Sequence, residues 1–155
     1  HSLEIELPFL QRALAAPFRL LPVMVRDPGL ETARGLGTAL ARLAQEIAAQ
    51  DGRRMLLVAS TDLSHFYSRP AAEALDAEML RQVAAFDPAG VIRAEEQGKG
   101  FACGRGALAA VMFAAQQLGA DQSIVLHHAT SGDVTGDNSQ VVGYGAAAFI
   151  KKTPG

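Results

Sequence analysis

An acid and an imidazole, three residues apart, follow a short apolar run in the first half of the chain. Residues 55–59 are apolar without alternation, and the next six residues read STDLSH, which places Asp62 and His65 directly after the run. Such a run is typical of a strand buried on both faces of an α/β sheet. Because ligands of these sheets bind beyond the carboxyl ends of strands, Asp62 and His65 are candidate site residues. The alternative is that residues 60–64 form only a turn and an N-cap.

The single cysteine, Cys103, lies in the segment ACGRG, where a helix is predicted to begin. The positive end of a helix dipole favours a thiolate there, and the nearby Arg105 is expected to act in the same direction. A thiolate together with imidazoles can bind a transition metal such as iron, copper or zinc. A structural zinc site is not indicated, because the chain has no cysteine pair. The alternative for Cys103 alone is a small buried hydrophobic residue.

Serine hydrolase chemistry fits the same segment less well. Ser60 or Ser64 could pair with His65 and Asp62, but the G-x-S-x-G motif is absent. The chain also has no P-loop and no G-x-G-x-x-G motif. These absences disfavour a nucleophilic serine and a nucleotide site of either common type.

Two further segments carry polar groups that could be mistaken for sites. The DVTGDN segment is similar in composition to a calcium-binding loop, but it lacks the D-x-D-x-D-G pattern and the closing glutamate. The 130–139 stretch is therefore interpreted as a turn. His127 and His128 are adjacent on a predicted strand and should point to opposite faces. We expect one of them in the core or a crevice and the other on the surface.

The composition indicates one globular domain that is not expected to bind nucleic acid or membranes. The chain has 155 residues, of which 49% are hydrophobic and 19% charged, with a formal net charge of -2 and no basic run. Nucleic acid or an anionic membrane surface is therefore an unexpected partner. The apolar runs are too short to span a bilayer. One cysteine cannot form an internal disulfide, which fits a reducing cytoplasm.

Strand-like and helix-like segments alternate along the chain, which predicts an α/β fold. Residues 18–25 and 55–59 are predicted as strands separated by a helix that follows Asp27-Pro28 and closes at Asp51-Gly52. This order favours a parallel pair joined by a right-handed crossover. The remaining predictions are a helix starting or kinked near residue 8, helices at 70–86, 88–98 and 104–118, and strands at 123–129 and 141–150.

Four stretches resemble the Memo family, whose bacterial members are called AmmeMemoRadiSam system protein B. They are HSLEIELPFLQ, ASTDLSHF, ACGRGALAAVMFAAQQLGA and ATSGDVTGDNSQVVGYGAAAFI, in the family's order. The resemblance covers nearly all of the chain but only the later part of the family's usual length. The earlier part, with a histidine motif of its own, is expected upstream of His1.

The resemblance implies a fold and a site. The fold is a three-layer α/β sandwich with a mixed central sheet flanked by helices, similar to the B subunits of extradiol dioxygenases, which use non-haem iron. The family's crevice holds two histidines and one cysteine as metal ligands. By motif, His1 and Cys103 match two of these ligands, and Asp62 and His65 line the same crevice. The third ligand would lie in the part that is absent here.

The same resemblance implies a function of one of two kinds. The first is a metal-binding redox protein using iron or copper, which could be a non-haem, dioxygenase-like enzyme. In that enzyme His65 would be an acid, a base or an additional ligand. Asp62 would orient an imidazole or accept a proton. The second is a non-catalytic scaffold that binds a peptide or protein in the crevice, phosphotyrosine peptides among them. The family's bacterial name further suggests a functional link to AMMECR1-like and radical SAM proteins.

A chain that matches only part of the family's length should also expose part of its core. If a first βα segment is missing, the apolar surface beneath it would exceed the few hundred Å² usual for monomers. We expect a second copy of the chain or upstream residues to cover that surface.

Overall fold

The computed structural model describes residues 3–152, which fold into helices packed against a small sheet. The α/β class predicted from the sequence is confirmed. The helices are α1 (Leu7–Ala13), α2 (Leu30–Asp51), α3 (Arg69–Ala84), α4 (Pro88–Glu96), α5 (Arg105–Gln117) and α6 (Gly132–Thr135). The strands are β1 (His65–Tyr67), β2 (Gln122–Thr130) and β3 (Val141–Ile150).

The helix boundaries follow the local signals in the sequence. Helix α2 ends at Asp51 because Gly52 adopts a left-handed conformation with φ of 68°. Helix α3 begins with Pro70 in its first turn, and the Asp87 side chain accepts a hydrogen bond from the Gly90 N–H to cap α4. The predicted start of α2 is wrong by two residues, because the N-cap is Gly29. No helix within residues 3–152 combines the length and apolarity needed to cross a membrane.

The strands form a sheet in the order β1-β3-β2, and both pairings are antiparallel. Strand β3 is central, with His65 opposite Val142 on one side and Thr130 opposite Gly143 on the other. The β1 strand was not predicted, because it is only three residues long. Its pairing with β3 brings the backbone of the DLSH segment onto the sheet.

Helix α5 lies between two parts of the core and is held from both sides. Its small residues face α2, where a Cβ on Gly37 would come within 2.6 Å of the Phe113 Cβ, so the two helices approach closely. Its other side contributes Leu108 and Met112 to a cluster with residues of α3 and α4 and with Leu63. A helix buried on both sides holds a fixed position, and so does the turn at its N-terminus that carries Cys103.

Residues 55–59 differ from the prediction. They are extended but belong to no strand, and Leu56 and Val58 are 65% and 43% exposed. The expected parallel partner, residues 18–25, is also unpaired and carries exposed apolar side chains such as Met24, which is 84% exposed. A strand needs a hydrogen-bonding neighbour at its edge, and the described residues supply none. The prediction of a parallel pair is therefore wrong for this part of the chain.

A groove of about 640 Å³ separates residues 55–59 from β3 and α5, and its lining is largely apolar. An apolar surface of this kind favours association with other polypeptides. Exposed apolar residues thus lie where a buried strand was predicted.

Substituting glutamate for Leu56 should reduce self-association of the protein without unfolding it. The side chain is 65% exposed, so we expect the free energy of unfolding to change by less than about 0.5 kcal/mol. Sedimentation velocity and denaturant unfolding measure the two effects. As a control, Leu63→Ala, at a site only 3% exposed, should cost about 2–5 kcal/mol. Equal association of Leu56→Glu and the parent protein would show that this face does not associate.

Candidate metal centre

Two segments of the chain bring three potential metal ligands together. Asp62 lies in the loop before β1, His65 is the first residue of β1, and Cys103 lies in the turn before α5. One ligand atom from each of the three residues lies within 4.8 Å of the others. The structure thus assembles three of the four residues singled out in the sequence. The fourth, His1, lies outside the described residues.

Direct hydrogen bonds between the two segments fix the cysteine beside the aspartate. The Cys103 N–H donates to the Asp62 carbonyl at 3.2 Å, and the Asp62 N–H donates to the Cys103 Sγ at 3.2 Å. The Gly104 N–H donates to the Thr61 Oγ1 at 2.7 Å. A Cβ on Gly104 would lie 2.8 Å from the Ser60 carbonyl oxygen, so only glycine permits this approach. Sequence reasoning missed the role of Thr61, which only this contact between loops reveals.

His65 presents a buried nitrogen that no hydrogen bond satisfies. Its Nε2 makes no hydrogen bond with any described residue and lies 3.5 Å from the Asp62 Oδ2. Its ring lies against Phe101, with centroids 5.4 Å apart. The next residue, Phe66, has φ of 62°, an uncommon conformation for a bulky residue that marks local strain. Buried polar atoms are nearly always paired, so an unsatisfied imidazole nitrogen facing a carboxylate and a thiol indicates a ligand site.

Arg105, which follows Cys103 by two residues, has an acidic partner. Its guanidinium pairs with Glu95, and both side chains are mostly buried. The other Glu95 oxygen accepts a hydrogen bond from the Ala102 N–H at 3.1 Å. The positive charge of Arg105 is therefore offset locally, and the pair instead anchors the turn that holds Cys103. The expectation that Arg105 favours the thiolate stays a prediction.

The two serines of the segment are not arranged as hydrolase nucleophiles. The Ser60 Oγ donates to the Glu6 Oε1 at 3.2 Å. The Ser64 Oγ is buried and has no hydrogen-bond partner among the described residues, His65 included. Within residues 3–152, therefore, no serine is activated by this histidine.

The 130–139 stretch contains the short helix α6 inside an otherwise turn-rich loop. The Thr130 N–H donates to Asp133, and this bond, followed by the ion pair with Arg69, holds the pKa of Asp133 below its usual value. Through these two contacts the Asp133 carboxylate closes the loop. The interpretation of the segment as structural agrees with these contacts.

Of the adjacent histidines, His127 is exposed and His128 partly buried, as expected, although both line the same small pocket. The Nε2 of His128 lies 2.8 Å from the Oδ2 of Asp76, a fully buried residue of α3. Asp76 was missed in the sequence. Its signal was an aspartate on the same helical face as Ala72 and Met79, where an apolar residue is expected.

The three donors fit a transition metal. Thiolate, imidazole and carboxylate are all ligands of iron, copper and zinc. Two donors bound about 2.0–2.3 Å from one ion lie at most about 4.6 Å apart, so the observed cluster needs only small side-chain shifts. The Asp62 N–H bond to the sulfur is the kind of contact that tunes a metal–thiolate bond.

Comparisons with known proteins identify the family of this chain. The Memo-like protein family model matches residues 1–148. A MEMO1 family protein of Methanopyrus kandleri is 40% identical over 96% of this chain and 51% of its own length. One from Nitrosopumilus maritimus is 38% identical over 97% of this chain and 52% of its own length. The chain spans about half the length of these curated relatives. From this match and the motifs gathered at the site, we conclude that the chain belongs to the Memo-like protein family.

Proposed function

We propose that the cluster of Asp62, His65 and Cys103 binds iron or copper and that the protein is a redox protein of the non-haem, dioxygenase-like type. The observation that carries this proposal is the convergence of three different donor groups within 4.8 Å, from two segments bonded to each other. A dioxygenase-like reaction would belong to the whole protein, because the curated relatives are about twice as long as this chain.

Each residue of the cluster would have its own role at such a site. Cys103, as a thiolate, and His65, through its buried Nε2, would hold the ion, and His1 would supply another imidazole. Asp62 lies where it can complete the ligand set, orient the imidazole or accept a proton from a bound substrate. The bound metal would supply one-electron chemistry and the activation of oxygen. The chain itself contributes the exposed side chains of Asp62 and Cys103, which a small molecule can reach from solvent.

A binding module is the second candidate, and the exposed aromatic residues beside the site favour it. Phe66 and Tyr67 directly follow His65 and are 71% and 44% exposed. Aromatic side chains at the edge of a crevice are common anchors for peptides. In this version the crevice binds a peptide or protein partner and performs no chemistry.

The cellular setting forms part of the same proposal. A free, exposed Cys103 that must stay reduced to bind a metal suits the reducing cytoplasm. We further propose homo-oligomers through the apolar face, a functional link to AMMECR1-like and radical SAM proteins, and no role for nucleic acid or membranes.

Oxygen uptake by the metal-loaded protein in the presence of catechol-like compounds distinguishes the two functions. We expect iron- or copper-dependent uptake that His65→Asn abolishes. His127→Asn is the matched control, because it removes an exposed imidazole outside the cluster and should leave the rate unchanged. Metal binding without oxygen uptake would instead support the binding module. Failure to bind either metal would rule out the redox function.

A further inference from the structure

We propose that Asp76 is a positioning residue of the metal centre and that His128 acts through it. This inference rests on the proposed metal-binding function. Asp76 lies on α3 and is 0% exposed, although a buried carboxylate is costly unless it is paired. Both of its oxygens are used, because Oδ1 accepts from the Ser64 N–H at 2.9 Å and Oδ2 lies 2.8 Å from the His128 Nε2.

The bond to Ser64 acts on the metal site through the backbone. Ser64 immediately precedes His65 and is two residues from Asp62, so its amide lies between two of the three potential ligands. The same short segment is bonded to β3, where the Leu63 N–H donates to the Gly143 carbonyl at 2.9 Å and the Gly143 N–H donates to the Ser64 carbonyl at 2.8 Å. Helix α3 and strand β3 therefore hold this segment from two sides.

Strand β3 is shaped to admit the carboxylate. A Cβ on Gly143 would lie 2.0 Å from the Asp76 Oδ2 and 2.6 Å from its Cγ, so no side chain fits there while Asp76 keeps its place. The missing side chain at Gly143 is an observation separate from the hydrogen bonds. It indicates that β3 and α3 are packed around the carboxylate in this position.

His128 connects this buried group to the surface. Its side chain is 29% exposed and lines a second pocket of about 310 Å³. The contacts thus run from the surface through His128, Asp76 and Ser64 to the backbone of His65. His128 also gives the buried carboxylate a partner, without which it would be an uncompensated charge.

The test uses cobalt(II) as a spectroscopic probe in the full chain. Asp76→Asn is expected to lower cobalt affinity 10- to 100-fold and to shift the d–d bands, because supporting contacts of ligands have effects of this size. His128→Gln should act in the same direction with a smaller shift. Ile92→Ala, at a site 1% exposed in the core cluster that does not include Leu63, is the control for loss of stability alone and should leave the spectrum unchanged.

The outcomes separate this inference from the proposed function. If the parent protein shows no thiolate-to-cobalt band, the proposed function fails and this inference fails with it. If the parent shows the band and Asp76→Asn has the same affinity and spectrum, the function stands and the inference is wrong. A shift in Ile92→Ala equal to that in Asp76→Asn would assign Asp76 a structural role only. Should Asp76→Asn not fold, an unchanged spectrum in His128→Gln would overturn the inference.

Discussion

Cys103→Ser should lower the affinity of the protein for cobalt or copper by at least about 100-fold, since loss of a ligand should exceed the 10- to 100-fold effect of losing a supporting contact. The substitution should leave the fold intact. A serine hydroxyl can still accept from the Asp62 N–H, and the Cys103 side chain is exposed. The affinities come from calorimetric titration of the reduced protein. Thermal unfolding of the metal-free forms verifies that both proteins are folded.

His127→Asn serves as the matched reference for this titration. His127→Asn removes one exposed imidazole outside the cluster. It should therefore lower only weak metal binding at the surface and leave binding by the cluster unchanged. Equal affinities of Cys103→Ser and the parent protein would remove the thiolate from the ligand set. A loss in His127→Asn as large as in Cys103→Ser would place the bound metal on the surface.

Gly143→Ala should destabilise the protein by about 3 kcal/mol or more, since overpacking adds to the displacement of a buried, paired carboxylate. The new Cβ would lie 2.0 Å from the Asp76 Oδ2 and 2.6 Å from its Cγ, so the buried carboxylate would have to move away from its two partners. Denaturant unfolding of the metal-free protein gives the free energy of unfolding directly.

Gly145 offers a matched control in the same strand. A Cβ there would meet only the ends of Leu63 and Leu80 at 3.2 Å, and these flexible ends can move by a few tenths of an ångström. Gly145→Ala should therefore cost much less than Gly143→Ala. Similar losses in the two variants would mean that Asp76 moves aside easily, which contradicts the tight packing described above.

Local sequence signals predicted most helices and two strands because each signal acts within a few residues. Gly52 ends α2 through its own backbone conformation, Pro70 lies in the first turn of α3, and Asp87 caps α4 with its own side chain. Three site residues were also predicted, since Asp62 and His65 follow an apolar run and Cys103 precedes a helix. These features do not depend on distant parts of the chain.

The features that were not predicted depend on distant contacts. Residues 55–59 have a strand's composition, but whether they pair depends on a neighbouring strand that the described residues lack. Asp76 is explained only by His128 and the amide of Ser64, which lie 52 and 12 residues away in sequence. The positive φ of Phe66 likewise follows from the path between the site and β3, and not from the residue's own preference.

X-ray absorption of the zinc-loaded protein tests the central claim most directly, because it identifies the atoms bound to the ion. The cluster of Asp62, His65 and Cys103 predicts one sulfur at about 2.3 Å together with nitrogen or oxygen ligands at about 2.0–2.2 Å. The sulfur shell should disappear in Cys103→Ser. A parent spectrum that contains only nitrogen and oxygen ligands would contradict a metal centre built on Cys103.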